Sequence, residues 1–217
     1  MGMTRHDAYV LLIQGADCLS FLDGLSTNLV TNACTTVFTD RAAKIIDVCE
    51  VLPMEGQAAL IGYLPHKERM VEHLSSRILG QNIGLQDITH LNDVFIGTGE
   101  PETPDGATVH EGHFGTVYVI AKHRKWEPTW TTEEWNEHRI TNMLPYHGHE
   151  ITPKVHPLAC GLGELVHENK GCYLGQEVLT RMRSRGKQGY RLEVQANPVE
   201  TATTVGKKQS LCIVRDQ

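Results

Sequence analysis

Short apolar runs separated by polar breaks dominate the hydropathy pattern of this chain. Residues 9–13, 45–52, 58–63, 83–88, 93–96, 116–121, 190–196 and 211–214 each read as a strand. Helical spacing appears in four places. Cys18, Phe21, Leu22 and Leu25 recur three to four apart, with Asp17 placed as a cap. Met70, Val71, Leu74 and Ile78 share one face, and Gly80 is placed to end that helix. Thr131 and Glu134 have capping-box spacing and open a helix carrying Trp135, Arg139 and Ile140, which must stop before Pro145. Residues 176–183 complete the set. Residues 97–115 are rich in Gly, Pro, Thr and acidic groups and read as a loop, the best place for a hinge between lobes. The expected division is 1–97, a hinge at 98–115, a second lobe at 116–187 and a C-terminal β segment at 188–217. The fold class expected is α+β, with mostly antiparallel sheets and flanking helices.

Composition narrows the function. The chain has 217 residues, 40% hydrophobic and 21% charged, enough for a real core. A formal net charge of -6 argues against a nucleic-acid partner. No apolar run approaches the roughly 20 residues of a membrane helix, and residues 1–9 carry no signal-peptide segment, so a cytoplasmic protein with no membrane partner is expected. Cys18, Cys34, Cys49, Cys160, Cys172 and Cys212 include no CxxC pair, which argues for free thiols, most of them core filler. His147, His149, His156 and His167 crowd a stretch broken by Pro145, Gly148, Pro153 and Pro157. They read as solvated loop histidines, and no metal site is expected.

Chemistry concentrates in residues 170–187. Cys172 stands between Gly171 and Gly175, and a helix follows directly. Glycine lets the backbone bend close to a ligand. A helix N-terminus, with Lys170 and Arg181 as neighbours, would favour thiolate over thiol. Elsewhere the sequence leaves more open. Asp47 lies among apolar residues and reads as a strand-edge carboxylate in water. Ser26-Thr27-Asn28 reads as a helix terminator. Arg139, one turn beyond Trp135, is either an anion clamp or a surface stack.

Lys170-Gly171-Cys172-Tyr173-Leu174-Gly175-Gln176-Glu177 resembles the signature of the YgfZ-type proteins, the folate-binding branch related to the T-protein of the glycine cleavage system. Thr180-Arg181 and Arg185-Gly186-Lys187 fit its continuation. Residues 135–142 resemble the family's Arg-Ile-Glu-x-Gly segment, and Gly15 to Asp17, Phe21 to Gly24 and Thr27-Asn28 resemble its N-terminal steps. The resemblance implies a T-protein-like folate-binding fold around a folate cavity. It implies tetrahydrofolate, or a one-carbon derivative, as cofactor, and a role in iron–sulfur cluster assembly or repair alongside client or assembly proteins. Cys172 takes the position of the essential cysteine. Asp47 matches the acidic residue near the folate one-carbon unit, Arg139 a pocket arginine and Asn28 the Asn of the Thr-Asn step. Lys170, Tyr173, Gln176, Glu177 and Arg181 complete the implied binding set. Two other functions stay open: a tetrahydrofolate-dependent aminomethyl or methyl transferase centred on Asp47, and a non-catalytic folate-binding module. The chain departs from the pattern at Ala43, where the family has glycine, at Pro157-Leu158-Ala159, which lacks the family's Glu, and at Asn142. Few residues follow Lys187, so the family's C-terminal barrel is expected to be missing or reduced to a hairpin.

Overall fold

The structure, a computed structural model, describes residues 2–99, 102–186 and 188–216. Lys187, the end of the basic continuation of the cysteine motif, lies outside the described residues. Strands β1 (Gly2–His6), β2 (Ala8–Gln14), β3 (Cys34–Thr39), β4 (Ile45–Met54), β5 (Gln57–Tyr63) and β6 (Gly84–Asp87) precede β7 (Asn92–Thr98), β8 (Thr108–Gly112) and β9 (Gly115–Ala121). The last three are β10 (Tyr190–Ala196), β11 (Ala202–Val205) and β12 (Gln209–Arg215). The helices are α1 (Cys18–Asp23), α2 (Lys67–Ser75), α3 (Thr132–Thr141) and α4 (Gln176–Arg185).

Among the described residues three sheets form, with antiparallel pairing throughout the named strands: β3-β4-β5-β2-β6, β1-β7-β9-β8 and β10-β12-β11. The five-stranded sheet is apolar on both faces. Tyr9, Leu11 and Ile13 of β2 join Phe21 and Leu22 of α1 and Met70 and Leu74 of α2. Val10, Val48, Leu52 and Ile61 meet Val94, Ile96 and Val117 of the four-stranded sheet. Period-two alternation thus assigns successive residues of one strand to two separate cores. Ile140 of α3 packs on Leu192 and Leu211 of the three-stranded sheet. Among the described residues no helix is long and apolar enough to cross a membrane.

The α+β class and the predominance of antiparallel pairing agree with the sequence reading. The capping box also forms: the Glu134 amide donates to Thr131 Oγ1 at 3.2 Å, and the Thr131 amide donates to Glu134 Oε2 at 2.8 Å. Several details differ. Asp17 makes no side-chain cap bond. The second helix ends at Ser75, before Ile78 and Gly80, where Arg77 Nη1 donates to the His73 carbonyl at 2.7 Å. Residues 97–115 contain a strand, β8, hydrogen-bonded along β9, so that stretch is not a continuous loop. The C-terminal segment is a three-stranded sheet rather than a hairpin, because β11 pairs with β12.

One buried histidine of α2 makes stability sensitive to acid. His73 is 6% exposed, its Nε2 has no hydrogen-bond partner, and its ring meets Phe38 edge-on. Burial, with Arg77 and Arg69 nearby, pulls its imidazole from 6.5 down to about 4. The unfolded chain therefore binds a proton between those values that the native protein refuses. Stability from this group is complete above pH 6.5 and is lost as pH falls toward about 4. His73→Leu should remove about one proton of uptake on unfolding in that window, read from urea midpoints of wild type and variant across pH. Parallel pH curves for the two proteins would refute the assignment.

Candidate functional site

The Cys172 turn is fixed at both ends. Lys170 reaches back to the segment after α1, where its ammonium donates to the carbonyls of Asp23 (2.6 Å), Ser26 (2.8 Å) and Asn28 (2.7 Å) and to Asp23 Oδ1 (3.1 Å). Burial lowers the Lys170 ammonium's pKa, against the pull of Asp23. The same ammonium lies 5.6 Å from the Tyr173 ring centroid. Tyr173 is buried with Ala43, Leu158, Val166 and Leu179. At the far end, Thr39 Oγ1 donates to the Leu174 carbonyl at 2.5 Å, and Gly175 turns the chain with φ +83 into α4. Cys172 lies between these anchors and is exposed, whereas Cys18, Cys49, Cys160 and Cys212 are buried.

The structure brings part of the expected set together here. Asn28 joins through its carbonyl, and its side chain donates to the Thr35 carbonyl at 2.9 Å. Gln176 Nε2 donates to the Lys170 carbonyl at 3.5 Å. Glu177 and Arg181 are exposed on α4 and line an open hollow of about 500 Å³ with Gln176. Ala43, which stands where the family has glycine, is buried with φ 60, a conformation that glycine adopts without steric cost.

Asp47 and Arg139 make their described contacts elsewhere. Arg139 has zero exposure. Its Nη1 donates to Glu150 Oε2 at 2.9 Å and its Nη2 to Thr204 Oγ1 and Asn136 Oδ1, both at 2.9 Å. It is not the surface stack that its spacing from Trp135 allowed; it is a buried clamp between α3 and β11 with Glu150 as its anion. Glu150 completes it by accepting from the hydroxyls of Thr203 and Thr204.

Asp47 has zero exposure, so the expected solvated strand edge is corrected. Its Oδ2 accepts from the Tyr63 amide at 3.0 Å, and its Oδ1 accepts from the Val48 amide at 2.9 Å. His66 Nδ1 is 3.0 Å and His147 Nδ1 3.5 Å from Oδ1. Burial pushes the Asp47 carboxyl up, opposed by His66, the Tyr9 hydroxyl and the Val48 amide. Gly62 is required at this point: a Cβ there would stand 2.3 Å from both Asp47 Oδ2 and the Tyr9 hydroxyl. His147 is buried and stacks on Tyr63 at 4.9 Å, so it is not a solvated loop histidine; His156 is buried as well. His149 is exposed, as expected. No local pattern marks this cluster, since His66, Asp47 and His147 come from the turn after β5, from β4 and from the loop after α3.

Between the five- and four-stranded sheets a narrow cavity of about 20 Å³ is lined by His6, Glu50, Ile61, Phe114, Tyr146 and His147. That space is of the order needed for one water. A pterin does not fit it in this conformation.

No family model matches the chain. A chloroplastic, transferase-like protein of Arabidopsis thaliana is 35% identical over a stretch covering 34% of this chain and 18% of the relative. An aminomethyltransferase of Alkaliphilus oremlandii is 30% identical over 30% of this chain and 22% of the relative. The chain thus matches about a fifth of the length of these curated relatives. The crystal structure of the glycine cleavage system aminomethyltransferase T of Bartonella henselae superposes with a TM-score of 0.77 at 12% identity, covering 98% of this chain and 78% of that one. The fold of this chain is that of aminomethyltransferase T.

Proposed function

We propose that this protein is a tetrahydrofolate-binding, YgfZ-type relative of the aminomethyltransferases that supports iron–sulfur cluster assembly or repair in the cytoplasm, with Cys172 as its reactive group. The observation that carries the reading is the presentation of Cys172: an exposed thiol on a turn anchored at Lys170 and at Leu174 and Gly175. An exposed cysteine held on a turn can attack, ligate iron or undergo reversible oxidation. The aminomethyltransferase T fold and the aminomethyltransferase among the relatives support the folate part. Asn28, Lys170, Tyr173 and Gln176 build the turn and its support, and Glu177 and Arg181 extend a polar surface along α4.

A second reading, tetrahydrofolate-dependent aminomethyl or methyl transfer, draws on Asp47, a buried carboxylate beside two imidazoles. The inter-sheet cavity is too narrow for a pterin and must widen if folate enters there, so no chemical step is written through folate. Calorimetric titration with tetrahydrofolate of wild type, Cys172→Ser and Asp47→Asn separates them. Under the first reading wild type and Cys172→Ser bind with equal affinity, and Cys172→Ser fails to restore iron–sulfur enzyme activity in cells lacking the protein. Loss of one-carbon transfer in Asp47→Asn alone supports the second reading. Absence of binding to wild type refutes both. Binding in the inter-sheet cavity should also change hydrogen exchange at residues 144–148, since Tyr146 and His147 line it.

A further inference from the structure

We infer that Asp47, His66 and His147 form a site for one divalent transition-metal ion, a reading independent of folate. One carboxylate and two imidazoles supply donor atoms that all lie within 4.8 Å of one another. Metal–ligand bonds of about 2.0–2.2 Å place neighbouring donors about 3–3.5 Å apart at tetrahedral or octahedral angles. His66 Nδ1 and His147 Nδ1 already stand 3.0 and 3.5 Å from Asp47 Oδ1. Both imidazole nitrogens thus already stand at metal-ligand spacing from the carboxylate oxygen, and the two lie within 4.8 Å of each other, so side-chain adjustment rather than a rearrangement of the fold brings all three to one ion.

A second feature points to a ligand. His147 is 4% exposed, and its Nδ1 faces Asp47 with no hydrogen-bond partner. An unpaired buried ring nitrogen carries a desolvation cost that a metal–nitrogen bond removes. The carboxylate is oriented for the same purpose. The Tyr63 amide holds Oδ2, and the Val48 amide takes one lone pair of Oδ1, leaving the other directed to the two imidazoles. The side chains facing Asp47 Oδ1 are the imidazoles of His66 and His147, and no lysine or arginine pair is described for it. A divalent ion would supply the charge that a fully buried carboxylate otherwise lacks.

The surroundings fix the ligands. The Tyr63 ring stacks on His147 and meets His66 edge-on at 5.2 Å. The His6 ring lies 5.7 Å from that of His147 and lines a surface hollow of about 280 Å³ with Asp7 and Leu64, giving one approach from outside. His66, with a side chain 12% exposed, gives another. Metal binding needs His66 Nδ1 unprotonated, so any proton on it moves to Nε2 or to solvent and the ion takes its place beside Asp47 Oδ1. Two imidazoles and one carboxylate suit zinc, iron(II), cobalt(II) or manganese(II) rather than calcium. Three protein ligands leave further positions for water or a small anionic ligand.

The test is a titration of metal-stripped protein with Co²⁺, read by visible ligand-field absorption and calorimetry, with Zn²⁺ competing. Wild type should bind one equivalent, displaced by Zn²⁺. His147→Ala and His66→Gln should each bind about 100-fold more weakly, while the exposed His123→Ala should match wild type. Circular dichroism and thermal midpoints confirm that each variant is folded; His66→Gln keeps volume at a partly exposed position and serves if His147→Ala does not fold. The inference is overturned if folded wild type takes up no Co²⁺ or Zn²⁺, or if folded His66→Gln binds as tightly as His123→Ala.

Discussion

Arg139→Met should lower the free energy of unfolding by about 3–5 kcal/mol, the range for removing one partner of a buried ion pair. The reason lies in what remains. Glu150 has zero exposure and keeps the Tyr146 amide and the hydroxyls of Thr203 and Thr204, but it loses its counter-charge. Methionine fills much of the volume, so the loss reads charge and hydrogen bonding rather than a cavity. Arg139→Lys should recover part of the loss, because an ammonium cannot reproduce two donor nitrogens spread between Glu150, Asn136 and Thr204. Urea unfolding gives the energies. Hydrogen exchange should show β11 and β12 opening first, since the clamp joins α3 to that sheet. A loss under about 1 kcal/mol would mean that water or a rearranged side chain replaces the guanidinium, and that the C-terminal sheet is held by Ile140, Leu192 and Leu211 instead. On this account Arg139 acts on any ligand through the fold, and its removal should weaken tetrahydrofolate binding in proportion to the unfolded fraction.

The parts of the fold legible in the sequence are those whose cause is local. The capping box at Thr131 and the alternation of β10 need no partner to be seen. Strand β3 was hidden for the opposite reason. Thr35, Thr36 and Thr39 look polar in sequence, yet all three are buried because their hydroxyls have distant partners: Glu50, the Asn28 amide and the Leu174 carbonyl. Strand β1 carries Thr4, Arg5 and His6 at the edge of its sheet, where alternation is weak. Strands β8 and β11 fall in stretches that read as loops, and pairing with β9 and β12 supplies their order.

The candidate sites divide along the same line. Cys172 was legible because glycine, basic residues and a helix start are neighbours in sequence. The Asp47 cluster was not, because Asp47 sits in a strand whose other residues are apolar, and the two histidines arrive from segments nineteen and a hundred positions away (66 − 47 and 147 − 47). Proline near His147 suggests an exposed loop; Tyr63, stacked on its ring, and Tyr146, edge-on to it, bury it. Residue type and spacing report secondary structure well, but burial of a polar group depends on which distant atom answers it.

Gly175→Ala and Gly171→Ala form a matched pair that tests how the Cys172 turn is held. At Gly175 the backbone is left-handed with φ +83, and an added Cβ would stand 2.7 Å from the Asp40 carbonyl oxygen and 2.8 Å from Ala43 Cα. Both obstacles are backbone, so neither can swing aside as a side-chain end would. Left-handed strain costs about 1–2 kcal/mol, and relief of the contact must shift α4 or the β3–β4 turn, for a total of about 3–4 kcal/mol. At Gly171 an added Cβ meets nothing within 4 Å, and the change should stay within about 0.5 kcal/mol. The thiol provides a second readout. Because Leu174 and Gly175 dock on Thr39, Asp40 and Ala43, displacing them should alter the rate at which Cys172 is alkylated, while Gly171→Ala leaves that rate near wild type. Equal stability losses in the two variants, or an unchanged alkylation rate in Gly175→Ala, would show that the turn is not pinned at its C-terminal end. The position of the exposed thiol would then depend on Lys170 and its acceptors at the other end of the turn.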